Sequence, residues 1–595
     1  MKEFVKYTLA TICGIVLVHL FAFLLFIMMA GTLSVIGSDG TSIEDHSILR
    51  LRLSGTLTEQ GQPSSPFDEL LGKANMESQG LDQMIQAIRL AKTNDKIEGI
   101  YLDGGSLAGD MASMQYLRSE LQDFKKSGKW IYAYADQYAQ SSYYVASVAD
   151  SIMLNPLGMI DWHGIASQPI FYTGLLEKLG VKMQVFKVGT YKSAVEPYIL
   201  TSMSDANREQ VSSFITDIWQ VVTADVSKSR KVSVEQLNAC ADRYIIFADT
   251  KDYVKQRLVD RLAYIDQVRA SLRTKAGADE LKLVGASELC QTAPTKQHEK
   301  KVAVYIAEGS IVDQASATSF GSESEIVGSQ VVSDLDALAS DDDVEAVVLR
   351  INSGGGSAYA SEQMWRAIQL LKQKKPVVVS MSGLAASGGY YMSCGANYIV
   401  AEPTTLTGSI GIFGMVPDAS GLLCDKLGLS FDVVKTNASS DFGAPGRPFN
   451  AAEGEAMQAY VDRGYRLFIS RVAAGRTAAG RKMTPDDVDR IGQGRVWTGK
   501  QALKLGLVDK LGTLDDAVKK AAELAKLKAD DYSVAQYPEP AEWIENLMNS
   551  ADTDDYLERK LRATLGEYYE PLRFIRDAGQ NSFLQARMLY LPNLK

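Results

Sequence analysis

The 595-residue chain predicts an α/β fold in which two tandem copies of one βα-repeating unit follow a single N-terminal transmembrane helix. Three observations carry that prediction. A long uncharged run opens the chain, the remainder repeats itself at a nearly constant offset, and each copy alternates short β-branched runs with longer amphipathic stretches.

The uncharged run extends from Tyr7 to Ile36, 30 residues where about 20 suffice to cross a bilayer as a helix. A cleaved signal peptide has a shorter apolar stretch, so the run reads as an uncleaved anchor despite the small residues Ala30-Gly31-Thr32. Lys2 and Lys6 precede it, whereas Asp39, Glu44 and Asp45 come after it. The positive-inside tendency then keeps the N-terminus cytoplasmic and puts the rest outside. Residues 1–46 are read as cytoplasmic stub, anchor and linker.

Internal repetition organises the rest of the chain. Residues 96–103 read KIEGIYLD and residues 343–350 read DVEAVVLR, an offset of 247. At the same offset, the run Gly128 to Tyr134 before Tyr143-Tyr144 matches Lys375 to Met381 before Tyr390-Tyr391. Lys178-Leu179-Gly180 and Lys426-Leu427-Gly428 match at 248, and Leu258-Val259-Asp260 and Leu507-Val508-Asp509 at 249. The predicted units are residues 47–290 and 300–537, joined by a polar linker near 286–300. In the second unit, a strand over Ala346–Ile351 runs into Gly354-Gly355-Gly356 and a helix over Ala358–Lys374; Pro376–Ser380 is the next strand and a helix starts near Ala386. Such alternation implies a mainly parallel sheet. Residues 538–595, rich in Tyr and charge, are predicted to be a helical tail.

Composition narrows the function. The hydrophobic fraction of 46% and charged fraction of 23% are those of a globular protein. A net charge of −10 argues against nucleic acid as a partner, because phosphate neutralisation needs clustered Lys and Arg. The five cysteines and four histidines form no ligand-spaced cluster, so neither a metal nor another cofactor is expected.

Ser387 lies in Ala385-Ala386-Ser387-Gly388-Gly389-Tyr390-Tyr391, where a strand turns into a helix. Small neighbours and a helix N-terminus suit a nucleophile whose attack generates an oxyanion; a helix N-cap is the plainer reading. One strand earlier, Asn352-Ser353-Gly354-Gly355-Gly356-Ser357 is a bare turn. It lacks the lysine of a phosphate loop and the third glycine of a dinucleotide fingerprint, so it reads as either an oxyanion hole shared with Gly388 or simply a tight turn. Neither glycine-rich turn holds a histidine, and His163 and His298 sit in segments without motif character. A desolvated lysine is the alternative base.

Which lysine is indicated by resemblance. Tyr191-Lys192-Ser193-Ala194-Val195-Glu196-Pro197, the Ser387 segment, Thr407-Gly408-Ser409-Ile410-Gly411, Gly494-Arg495-Val496-Trp497-Thr498-Gly499 and Gly506-Leu507-Val508-Asp509 resemble the signature segments of signal peptide peptidase A, in its long two-repeat form. The resemblance implies a Clp protease/crotonase-like fold for each unit, Ser387 as nucleophile, Lys192 as base and Ser409 as the hydroxyl orienting the lysine. It also implies signal peptides and other short hydrophobic peptides as substrates, a homotetramer, and a bacterial inner-membrane location with periplasmic catalytic domains. One departure is Gly354, where the family usually has proline; with Gly355 and Gly356 retained, the oxyanion hole is expected to survive with a looser loop.

The duplication adds support from this chain alone. The first-unit position matching Ser387 is Gln140, and the second-unit position matching Lys192 is Ser440. Each unit lacks what the other supplies, so the site must be assembled across units, and within one chain if covalent linkage sets the effective concentration. Two rival readings share the fold: an inactive membrane scaffold, and a crotonase-like acyl-transfer enzyme. The second offers no role for Lys192 and needs coenzyme A outside the cytoplasm. Covalent labelling of Ser387 separates the first.

Overall fold

The computed structural model describes residues 43–61, 78–293, 298–315, 324–529, 531–538 and 584–588, with isolated positions before them. The anchor expected over residues 7–36 lies outside the described residues apart from a few of those positions. Among the described residues no helix is long and apolar enough to cross a membrane.

Each repeat builds its own mainly parallel sheet, the exception being Val496–Thr498, which pairs antiparallel with Leu406–Gly408. In the first, the order is Ser78–Gly80, Ser47–Thr58, Ile97–Ala108, Trp130–Tyr138, Ser151–Ile160 and Arg261–Leu262, with Leu283–Gly285 beside Ser47–Thr58. In the second it is Val496–Thr498, Leu406–Gly408, Val377–Ala386, Val344–Ser353, Lys301–Glu308 and Ser533–Tyr537. The two strands carrying the sequence repeat are neighbours in both sheets. Every residue of Val377–Ala386 is buried, as a central parallel strand covered on both faces requires. The helix Ala358–Lys374 starts where Ser357 Oγ accepts from Ala360 N–H at 3.2 Å, and it buries Met364, Ile368 and Leu371 on one face.

A third sheet joins the units. Its order is Glu325–Val327, Ser310–Val312, Gly355–Ser357, Gln585–Arg587, Phe413–Asp418 and Lys182–Lys187. The last two strands come from different repeats and pair antiparallel from Lys187 opposite Phe413 to Lys182 opposite Asp418. That pairing lays the chain leading to Lys192 alongside the chain leaving Ser409. The units are also tied by a buried ion pair, Glu59 to Arg350, whose guanidinium reaches Ser380 and Ser382 as well.

Two expectations change. Part of the linker predicted near 286–300 is the helix Ala286–Gln291, which packs on Leu81–Thr93 with Leu289 fully buried. The tail predicted to be helical contributes, in its described residues, the strand Gln585–Arg587; flanking edges on both sides supply hydrogen-bond partners that outweigh its local preference.

Candidate active site

Ser387 comes after the strand Val377–Ala386 and precedes the short helix Gly388–Ser393. Its backbone has φ 54° and ψ −111°, a region L-residues seldom occupy and which costs on the order of 1–3 kcal/mol when the fold enforces it. Ser387 N–H donating to Gly408 O at 2.8 Å and Tyr391 N–H donating to Ser387 O at 2.8 Å hold the turn. The side chain is fully buried, and Lys192 Nζ lies 2.8 Å from its Oγ.

Lys192 arrives from the other repeat, just ahead of the 3₁₀ turn Ser193–Val195. Its amine also lies 3.1 Å from Ser409 Oγ and 3.3 Å from Ser409 O. Burial without a compensating charge pushes the amine down to about 7. Ser409 too has positive φ, 47°, and its N–H donates to Arg495 O at 2.7 Å. The structure therefore brings Ser387, Lys192 and Ser409 together from three segments.

The predicted oxyanion glycines gather at the same place. Gly355, with φ 89°, packs so tightly that a methyl group on it would lie 2.5 Å from Gly388 N. Gly355 N–H donates to Ser353 Oγ at 3.1 Å, and Gly356 pairs with Ala586 in the adjoining antiparallel ladder. Neither histidine joins them: His163 turns Nδ1 to Gly164 O at 3.0 Å and Nε2 toward Asp161, within the first unit, and His298 O accepts from Ser533. Gln140, at the nucleophile position of the first unit, donates to Gly164 O and accepts from the N–H groups of His163 and Gly164, so it braces a loop. Ser440, the counterpart of Lys192, is exposed.

Several residues pack around Lys192 and its loop to which sequence reasoning assigned no role. Gln493 O accepts from Tyr191 N–H at 2.9 Å, and Gly494 N–H donates to Ile410 O at 2.7 Å, so this segment is wedged between the lysine and Ser409. Arg495 lies over the rings of Tyr191 and Trp497 and pairs with Glu209 at 2.8 Å. Gln210 holds Tyr191 O, Ser193 Oγ and Val496 N. The available signal was the Gly494-Arg495-Val496-Trp497 segment, conspicuous in the sequence but mute about its contacts.

On this α/β fold the chain is a serine protease, and comparison with known proteins says so at several levels. The Clp protease family signature matches residues 301–404. The chain belongs to peptidase family S49, whose signature matches residues 123–279 and 369–528. It is 38% identical over 531 residues to Protease 4 of Salmonella typhi, covering 86% of this chain and 84% of that one. Protease 4 of Haemophilus influenzae is 32% identical, with 86% and 85% covered. The chloroplastic serine protease SPPA of Arabidopsis thaliana is 30% identical, with 80% and 69% covered.

Proposed function

We propose that the protein is a membrane-anchored endopeptidase that degrades signal peptides and other short hydrophobic peptides after their release, through a Ser387–Lys192 dyad. The observation that carries this reading is the 2.8 Å contact between Lys192 Nζ and Ser387 Oγ, made by an amine whose proton affinity has fallen to about 7. A neutral amine can accept the hydroxyl proton as Ser387 attacks a peptide carbonyl. Lys192 then returns the proton to the leaving nitrogen, and a water activated by the same base hydrolyses the acyl-enzyme. Gly356 and Gly388 N–H groups stabilise the oxyanion, with Gly355 shaping the strand between them. Ser409 Oγ, 3.1 Å from the amine, keeps the base aimed at Ser387.

Substrate class, anchorage by residues 7–36, a periplasmic active site and a homotetramer are supported by the resemblance to signal peptide peptidase A and by the uncharged leader. A fluorophosphonate probe tests the chemistry. It should label wild type at Ser387, label Lys192→Ala far more slowly, and spare Ser387→Ala. A wild type that resists the probe and leaves peptides intact would overturn the reading.

A further inference from the structure

The residue that leads into Lys192 is held at both ends by distant parts of the chain. Tyr191 N–H donates to Gln493 O at 2.9 Å, and Tyr191 O accepts from Gln210 Nε2 at 3.0 Å. Gln210 projects from the helix Asp205–Arg230 and is 2% exposed. Its Nε2 also lies 3.0 Å from Ser193 Oγ and 3.1 Å from Asn207 Oδ1, so the amide grips the chain on either side of Lys192. Its Oε1 accepts from Val496 N–H, a group of the second repeat, at 3.2 Å. With three acceptors around the nitrogen and a donor at the oxygen, one orientation of the amide satisfies every partner. Val496 lies opposite Gly408 in the ladder with Leu406–Gly408. Gly408 O holds Ser387 N–H at 2.8 Å, and Arg495 O holds Ser409 N–H at 2.7 Å. One buried side chain therefore touches both the loop carrying Lys192 and the segment against which Ser387 and Ser409 are anchored.

We propose that Gln210 is a positioning residue for the hydrolysis, setting where the Lys192 amine stands relative to Ser387 and Ser409. The proposal rests on the Ser387–Lys192 reading. A lysine carries its amine on a flexible four-carbon stem, so the aim of that amine depends on how firmly the backbone beneath it is fixed. Gln210 is also neutral, which suits a base that must give up its proton, because an anion at this place would favour the charged amine. The charged groups around the loop are each paired. Glu196 accepts from Ser204 N–H, Ser204 Oγ and Asn207 Nδ2, while Glu209 meets Arg495 at 2.8 Å and Tyr191 OH at 3.2 Å. Asn207, bonded to both Glu196 and Gln210, backs the amide from behind.

The test is kcat and KM for peptide hydrolysis across pH in the full chain as wild type, Gln210→Met and Gln210→Glu. Ile218→Ala, buried on the same helix away from the loop, controls for lost stability. Methionine keeps the length and gives up every bond, so kcat should fall on the order of 10- to 100-fold with KM held within about twofold, as roughly ångström displacement of a base requires. Its acid limb should move to higher pH, because a loosened loop admits water to the amine. Gln210→Glu keeps the shape and the bond from Val496 N–H but adds a carboxylate, and its limb should rise by about one pH unit or more. Ile218→Ala should lower Tm and leave both kcat and the limb in place. If both Gln210 variants lose only Tm, as that control does, the proposal is overturned and the dyad stands. Should the methionine chain fail to fold, the glutamate chain decides alone, and a limb at the wild-type position overturns the proposal. A wild type that neither hydrolyses peptides nor takes the fluorophosphonate probe overturns the dyad reading, and this proposal with it.

Discussion

Gly494 lies against Lys192 so closely that a methyl group on it would come within 2.6 Å of the lysine's Cα and N. The glycine also has φ 81°, a conformation other residues take at a cost. Gly494→Ala must therefore displace Lys192 while removing none of its hydrogen-bonding atoms. Peptide hydrolysis should fall on the order of 100-fold, the usual penalty for roughly ångström misplacement of a catalytic group, with circular dichroism unchanged. Near-normal turnover would show that the lysine loop adapts.

With the amine near 7, hydrolysis should rise with pH along one acid limb centred about there, because protonated Lys192 cannot accept the serine proton. Ser409→Ala removes one of the amine's three contacts and leaves nucleophile and base in place, so its loss should be milder than that of Ser387→Ala. A kcat/KM profile for each variant separates the outcomes. A midpoint near 10 would mean the lysine is not desolvated during catalysis.

The same depression has a stability consequence. Lys192 binds its proton more weakly folded than unfolded, so between about 7 and the ordinary lysine value the unfolded chain holds more protons, and wild-type stability rises with pH. Lys192→Met removes that penalty. The variant should gain most in Tm, relative to wild type, below pH 7 and progressively less toward pH 10, although it is inactive. An advantage that grew with pH instead would contradict the assigned direction.

Glu59 and Arg350 meet from different repeats in full burial, with Nε to Oε2 at 2.9 Å and Nη2 to Oε1 at 3.1 Å. Glu59→Ala leaves the buried guanidinium without its ion-pair partner, which should cost about 3–5 kcal/mol in urea unfolding. A loss under about 1 kcal/mol would indicate that Ser380 and Ser382, with water, suffice for Arg350.

Lys192 and Ser387 meet within one chain. Mixed oligomers of Lys192→Ala and Ser387→Ala chains should therefore show no recovered hydrolysis. Recovery to about a quarter of wild type, the random-mixing value if neighbours shared sites, would place the dyad between chains.

Much of the fold and site was legible in the sequence. The offset of 247 exposed the duplication, and the strand, turn and helix around Ser387 are set by a buried β-branched run ending in small residues. Lys192 Nζ lies within hydrogen-bond reach of both Ser387 Oγ and Ser409 Oγ, three residues whose segments stood out in the sequence. What stayed hidden depends on pairing between segments far apart in the chain. Nothing local to Gln493-Gly494 tells that it abuts residue 192, and nothing in Leu584–Met588 announces a strand, since its conformation is imposed by the edges of Gly355–Ser357 and Phe413–Asp418. That Gly355 turns its N–H to Ser353 Oγ was equally out of reach.

The division of the dyad between repeats also sets a chronology. A ribosome delivers Lys192 well before Ser387, so under the proposed dyad a half-made chain with only its first unit would hold a base without a nucleophile. On that reading activity would depend on the later unit pairing with the earlier one through Phe413–Asp418 and Lys182–Lys187.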